Sequence, residues 1–169
     1  MRGLLDRLYV GAAVLAALGM VGTLLCVVQS IVGHVFDWYV PGTDAYAGYC
    51  MAASGFLALA HTLKRGEHIR VTLIQEHLSG APARALETFA LGVAALLGIA
   101  FAYYSARLAW QSWDFNDIST GNDATPLWIP QLGMAVGAIV FAIALAGEFV
   151  LQLAGRRVKA VPAEALRNE

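Results

Sequence analysis

Residues 8–36 have the sequence LYVGAAVLAALGMVGTLLCVVQSIVGHVF, which contains no Asp, Glu, Lys or Arg. A helix needs roughly 20 such residues to cross about 30 Å of hydrocarbon at 1.5 Å per residue. Three further runs of this kind follow, at 45–63, 88–106 and 124–147. Because unpaired backbone amides are costly in lipid, and barrel strands are shorter and alternate, these runs predict helices. The sequence therefore predicts an all-α integral membrane protein with four transmembrane helices.

The composition excludes two broad classes of protein. Of the 169 residues 59% are apolar and only 14% are charged, against about 25% charged in an ordinary soluble domain. A free soluble domain of this composition would expose large apolar patches. The 11 basic and 12 acidic residues give a net charge of −1, so no overall field favours nucleic acid as a partner.

The basic residues are concentrated on one side of the predicted membrane. Ten of the eleven precede the first span, lie between the second and third, or follow the fourth: Arg2, Arg7, Lys64, Arg65, Arg70, Arg84, Arg156, Arg157, Lys159 and Arg167. Only Arg107 belongs to the other side. By the positive-inside rule, both termini are expected in the cytoplasm.

The opposite side carries acidic and aromatic residues. Its acidic residues are Asp37, Asp44, Asp114, Asp117 and Asp123. All four tryptophans, Trp38, Trp110, Trp113 and Trp128, fall there too. Tryptophan favours the interface between lipid and water, so this pattern agrees with the orientation that the basic residues predict.

The predicted helices cover about 8–35, 45–63, 86–110 and 126–153. Together they form one transmembrane domain, 1–155, followed by a polar cytoplasmic tail, 156–169. Between the second and third helices, Gly66 permits a left-handed cap after the interfacial Lys64 and Arg65. A short amphipathic element then begins at Glu67 and can lie on lipid, although the alternation over 68–73 fits a strand as well.

The histidines and cysteines do not predict a cofactor. His34 is expected at the outer end of the first helix and His61 at the inner end of the second. They are therefore about a membrane thickness apart and cannot ligate one haem iron. His68 lacks the close ligand spacing of a metal site. Cys26 and Cys50 could meet between the first two helices, where packing as small apolar residues is favoured over redox chemistry. We expect no cofactor, metal or catalytic residue.

Two acidic features are candidates for calcium binding or ion transport. The loop 114–123, DFNDISTGND, begins like a calcium loop but has Ser119 where Gly is required. It is either a polar surface for a periplasmic partner or a plain solvated loop. Glu148 lies near the inner end of the fourth span, where snorkelling or pairing with Lys64 or Arg65 is favoured over transport chemistry.

Small residues occur at helical spacing in several spans and allow close helix contacts, within the chain or with another membrane protein. Gly133 and Gly137 form a GxxxG pair in the fourth span. The other small residues of this kind lie in the first and second spans: Gly11, Ala12, Ala16, Gly48, Ala52 and Gly55.

The segment 44–74, DAYAGYCMAASGFLALAHTLKRGEHIRVTLI, resembles the small membrane subunit of tripartite ATP-independent periplasmic (TRAP) transporters, the DctQ-type family. The resemblance rests on an acidic residue that opens the second helix, on "FL" at 56–57 and on "RGEHIRV" at 65–71. "TPLWIPQL" at 125–132 resembles the start of the family's fourth helix. The family's Arg after the opening acid and Ala is absent here, where Tyr46 follows.

The resemblance implies a scaffold subunit that is not an enzyme. It would join a large twelve-span, sodium-coupled subunit and a periplasmic solute-binding protein for uptake of an organic acid. The residues expected to contact lipid headgroups or partners are Asp44, Lys64, Arg65, Gly66, Glu67, His68, Arg70, Pro126, Trp128, Gly133 and Gly137. The alternatives are a membrane anchor subunit of a redox enzyme and a self-sufficient small transporter. The sequence does not reveal the solute.

Overall fold

The computed structural model describes residues 2–38, 40–65 and 81–155. Within them the chain forms four helices: α1 (Arg2–Val35), α2 (Thr43–Arg65), α3 (Ala81–Asp114) and α4 (Trp128–Leu153). The described part contains no strand, only an isolated antiparallel bridge between Ile118 and Pro126. The all-α prediction is therefore confirmed for these residues. The amphipathic element predicted after Gly66 and the tail 156–169 lie outside them.

The helices form an open row rather than a closed bundle. α2 lies between α1 and α4, and α3 packs on the far side of α4. α1 meets α4 only weakly, where Tyr9 joins Val140 and Ala144 in a small buried cluster. The two outer helices of the row, α1 and α3, are thus packed along one side and exposed along the rest.

Small side chains let α1 and α2 approach closely. Ala12 and Ala16 are buried, and Ser54 in α2 donates a buried hydrogen bond to the carbonyl of Ala16, at 2.7 Å. A Cβ atom at Gly19 would lie 3.0 Å from the carbonyl oxygen of Cys50. The contact depends on small residues because a bulky side chain would separate the two backbones.

α3 contacts α4 through one narrow stripe of residues spaced three or four apart. The stripe consists of Leu91, Ala95, Gly98, Ala102, Ser105, Ala109 and Ser112. Opposite it, α4 presents Ala138, Ala142 and Leu145, all buried. Neighbours at this spacing share one face of a helix, so the remaining surface of α3 stays uncovered.

Three of the described helices, α1, α3 and α4, are long and apolar enough to cross a membrane. α2 has 23 residues, which is sufficient length, but it carries more polar side chains. Two of these bond inside the chain, since Ser54 reaches Ala16 and Thr62 reaches the carbonyl of Leu59. The second predicted span, at 45–63, stays a prediction. A helix covered by neighbours on two sides needs less apolar surface than α1 or α3.

Candidate contact surfaces

The tryptophan end of the row is where α1 and α3 finish and α2 and α4 begin. α1 stops in a tight turn, because Asp37 has a left-handed φ of 53° and the N–H of Trp38 bonds to the carbonyl of Gly33 at 2.8 Å. This bond closes a six-residue Schellman-type cap. It turns the chain back toward the first residues of α2.

A polar clamp of three side chains ties α2 to the connection between α3 and α4. The hydroxyl of Tyr49 donates to Asp123 Oδ2 at 2.9 Å, and the hydroxyl of Ser119 donates to Asp123 Oδ1 at 2.7 Å. The Tyr49 and Ser119 oxygens are 3.1 Å apart. Each oxygen of the carboxylate therefore receives a hydrogen bond, one from its own connection and one from α2, which is distant in sequence.

These hydrogen bonds change the acidity of Asp123. The Ser119 hydroxyl, aided by Thr125 and Tyr49, lowers the pKa of this carboxyl from 3.8 to about 2. Hydrogen bonds to a carboxylate stabilise its charged form. Asp123 is therefore ionised at any physiological pH, and the clamp is in its bonded state.

Two further contacts bring the connections together at the tryptophan end. Thr125 Oγ1 lies 3.2 Å from the Tyr46 hydroxyl oxygen. Gly42 has a φ of 83°, and a Cβ atom there would lie 2.6 Å from the Cβ of Asp123. Only glycine combines that backbone conformation with so close an approach.

A cavity of about 460 Å³ opens beside the clamp. Its lining includes polar side chains from α1, α2 and both connections: Gln29, Ser30, His34, Asp37, Asp44 and Asn122. Asp44, a predicted contact residue, accepts a hydrogen bond from Ser30 at 3.1 Å and is exposed. It is thus positioned for polar contacts at the tryptophan end.

Pro126 and Trp128 lie at the start of α4. The carbonyl of Pro126 accepts a hydrogen bond from the N–H of Ile129 at 3.2 Å, which supports the first turn. The Trp128 ring packs edge-on against Trp113, with 4.9 Å between ring centroids. Trp128 therefore joins the start of α4 to the end of α3.

The GxxxG pair of α4 makes its close contact within the chain. A Cβ atom at Gly133 would lie 2.7 Å from the Cβ of Ala53, and one at Gly137 would lie 2.6 Å from the carbonyl carbon of Phe56. Gly11, Gly48 and Gly55 differ, since no atom would come within 4 Å of a Cβ there. Of the predicted small residues, Gly133 and Gly137 pack against α2, whereas Gly11, Gly48 and Gly55 face open space.

The other end of the row contains the predicted basic loop. Lys64 and Arg65 are the last residues of α2, and their side chains lie outside the described part of the structure. Gly66, Glu67, His68 and Arg70 lie outside it altogether. Their predicted contacts with headgroups or partners stay predictions.

Glu148 in α4 lies near the other end of the row, close enough to Tyr9 in α1 for an electrostatic interaction. Nearby, Gln152 bonds to Glu87 of α3 at 3.4 Å. The polar groups here link α1, α4 and α3. Pairing of Glu148 with Lys64 or Arg65 involves side chains outside the described part.

The two cysteines are neighbours across α1 and α2. Both are free and half-buried. The Cys50 sulfur packs over Gly22 of α1, one turn from Cys26, and the two thiols are close enough to interact electrostatically. The contact that the sequence left open is therefore present. Among the described residues no three His, Cys, Asp or Glu side chains group as metal ligands, and His34 and His61 belong to opposite ends of the row.

The comparison with protein families is decisive for identity. Residues 22–155 match the family model described as tripartite ATP-independent periplasmic transporters, DctQ component. The chain belongs to the DctQ family. None of the curated proteins compared with the chain matches it. The DctQ match spans parts of all four helices and the clamp between them, and it confirms the resemblance found in the sequence.

The clamp is the feature of this DctQ-family chain that sequence reasoning missed. The loop 114–123 was recognised as polar, but its internal hydrogen bonds and its tie to Tyr49 were not expected. Ser119 and Asp123, four residues apart, are a weak signal of a local turn. Tyr49 lies 74 positions before Asp123, and no pattern in a single sequence joins them.

Proposed function

We propose that the chain is the scaffold subunit of a TRAP transporter, assembled with a large membrane subunit and a periplasmic solute-binding protein. In this proposal the chain has four transmembrane helices and lies in the bacterial inner membrane. The basic end and both termini are cytoplasmic, and the tryptophan end is periplasmic. Membership of the DctQ family is the observation that carries the proposal.

The open row of helices supports a role in assembly. Long stretches of α1 and α3 expose large apolar side chains. α3 packs on α4 and reaches α2 through the neighbouring rings of Phe101 and Phe56. Such a row widens a membrane protein to which it is attached, and a wide frame resists tilting in the bilayer. A stationary frame is what a moving transport domain requires.

The polar clamp and the cavity support a rigid periplasmic surface. Asp44 and Asp37 line the cavity beside the clamp, and Asp123 ties the connection between α3 and α4 to α2. An ordered, acidic surface of this kind suits contact with a soluble partner better than a mobile loop would. In this proposal the solute-binding protein contacts the tryptophan end. The transported solute is an organic acid, and the partner proteins bind it.

The proposal is tested by expressing the chain with the large membrane protein and the secreted binding protein expected from neighbouring coding sequences. The chain should co-purify with the large subunit in detergent. Proteoliposomes with all three proteins should take up the solute retained by the purified binding protein when a sodium gradient is applied. Full uptake without this chain would overturn the scaffold role.

Absorbance of the purified chain separates the proposal from a redox anchor. A haem-bearing anchor subunit would show a Soret band, which a scaffold subunit would not. Reconstitution of the chain alone tests the idea of a self-sufficient transporter, and we expect no uptake from it.

A further inference from the structure

The free side of α3 carries polar groups. Tyr103, Tyr104, Arg107 and Trp110 all lie off the stripe that packs on α4, and all four are exposed. At 100° per residue, Arg107 lies on the side of the helix opposite that stripe. We call these four residues the polar face of α3.

Two contacts give a scale along α3 on which the depth of the polar face is inferred. Trp113 packs against Trp128 near the tryptophan end, and the Phe149 ring packs over Gly92 near the other end. The helix between residues 92 and 113 rises about 30 Å, which matches the hydrocarbon core of a bilayer. On this scale Arg107 lies about 9 Å and Tyr104 about 14 Å from the tryptophan pair, both within the apolar thickness.

α1 provides an internal comparison. Over residues 14–28 its exposed side chains are all Val, Leu, Ala or Met, which is the composition expected of a surface covered by lipid. α3 is also largely exposed, but it presents a guanidinium and two phenol groups. The two outer helices of the row therefore do not face the same surroundings.

The polar face is unsatisfied within the chain. Arg107 has no hydrogen bond or ion pair with any residue that the structure describes. The rings of Tyr103 and Tyr104 pack edge-on, with 5.4 Å between their centroids, but their hydroxyls form no hydrogen bond with the described residues. Charged residues at this depth face protein or water and pair with other groups. The Cα–Cβ bonds of α3 tilt toward its N-terminus, so the Cα–Cβ bond of Arg107 is directed away from the nearer membrane surface.

We infer that the polar face of α3 is the docking surface for the large membrane subunit, which presents a carboxylate to Arg107 within the membrane. Tyrosine, tryptophan and arginine are also the residues that most often dominate binding at protein interfaces. The inference rests on the proposed function, because it takes the large subunit as the partner. α1 is left to lipid.

The first test is site-specific photocrosslinking in the assembled complex. Tyr104 and, in a separate variant, Leu25 of α1 are replaced by p-benzoylphenylalanine; the two side chains are 63% and 62% exposed in the chain alone. After irradiation of membranes, position 104 should give an adduct with the large subunit and position 25 should not. An adduct at 25 without one at 104, or an adduct of 104 with phospholipid alone, would overturn the inference.

The second test removes the charge. Arg107→Gln should lower the amount of large subunit that co-purifies with the tagged chain by about tenfold or more, because its buried carboxylate partner would be left unpaired. Arg107→Lys should restore part of the loss. Arg84→Gln, which changes an exposed arginine at the other end of α3, is the matched control and should have no effect. Equal amounts of chain in the membrane show that folding is unaffected.

The two tests separate this inference from the proposed function. If the unaltered chain fails to co-purify with the large subunit, the proposed function is wrong and the inference falls with it. If it co-purifies, but Arg107→Gln behaves like Arg84→Gln, only the docking surface is wrong.

Discussion

A Cβ atom at Gly137 would lie 2.6 Å from the backbone carbonyl carbon of Phe56, so α4 and α2 touch backbone to backbone. The obstacle is main chain, which cannot move aside as a flexible side chain would. This contact joins the α1–α2 half of the row to the α3–α4 half. The whole arrangement therefore depends on the absence of a side chain at this position.

We expect Gly137→Ala to lower the free energy of unfolding by about 1–3 kcal/mol, the usual range for overpacking. Gly147→Ala in the same helix is the control, because no atom would come within 4 Å of its new Cβ. Thermal unfolding of the two variants in the same detergent measures the difference. Equal melting temperatures would show that α2 and α4 do not meet at Gly137.

Ser54 offers a weaker test of the contact between α1 and α2. Ser54→Ala removes the buried 2.7 Å hydrogen bond to Ala16, and hydrogen bonds between membrane helices contribute about 0.6 kcal/mol on average. We expect a loss of about 0.5–1 kcal/mol in unfolding by added SDS. Ser30→Ala, which removes an exposed bond to Asp44, should lose less. A larger loss for Ser30→Ala would contradict the packing described.

Helix positions could be predicted from the apolar runs, but helix lengths could not. The apolar run predicts α3 at 86–110, whereas the helix extends from Ala81 to Asp114, because charged residues outside the run, such as Arg84 and Asp114, do not end a helix. Both are tolerated in an exposed helical turn. An apolar run indicates that a helix crosses the membrane, but it does not give the residues at which the helix begins and ends.

The close contact at Gly133 and Gly137 could also be predicted, since small residues four apart allow backbones to meet. Their partner could not be, because the spacing is the same whether α2, another helix or another protein lies opposite. The central place of α2 in the row and the bond between Tyr49 and Asp123 depend on the packing of segments far apart in sequence. The sequence therefore predicts which residues form contact surfaces, but it does not predict which residues are in contact with each other.

The thiols of Cys26 and Cys50 give a covalent test of the α1–α2 register. Copper phenanthroline with oxygen removes two electrons and two protons from a pair of adjacent thiols and joins them as a disulfide. Because the two thiols are neighbours across α1 and α2, we expect oxidation within one chain, seen as loss of two maleimide labels by mass spectrometry. Cys50→Ala should keep its single label after the same treatment. Disulfide-linked dimers in place of the internal bond would contradict the register.

The clamp predicts a particular pH dependence. Since the pKa of Asp123 is lowered from 3.8 to about 2, the ionised carboxylate stabilises the folded chain above about pH 4, and this contribution is lost as the pH falls through 2. Removing a donor should raise the pKa toward 3.8, more in Ser119→Ala than in Tyr49→Phe, because Ser119 is the larger cause. Tyr46→Phe, whose hydroxyl lies beside Thr125 rather than the carboxylate, should change it least. Titration of the Asp123 carboxyl carbon by NMR measures each value, and an unaltered chain that titrates near 3.8 would show that the clamp does not form.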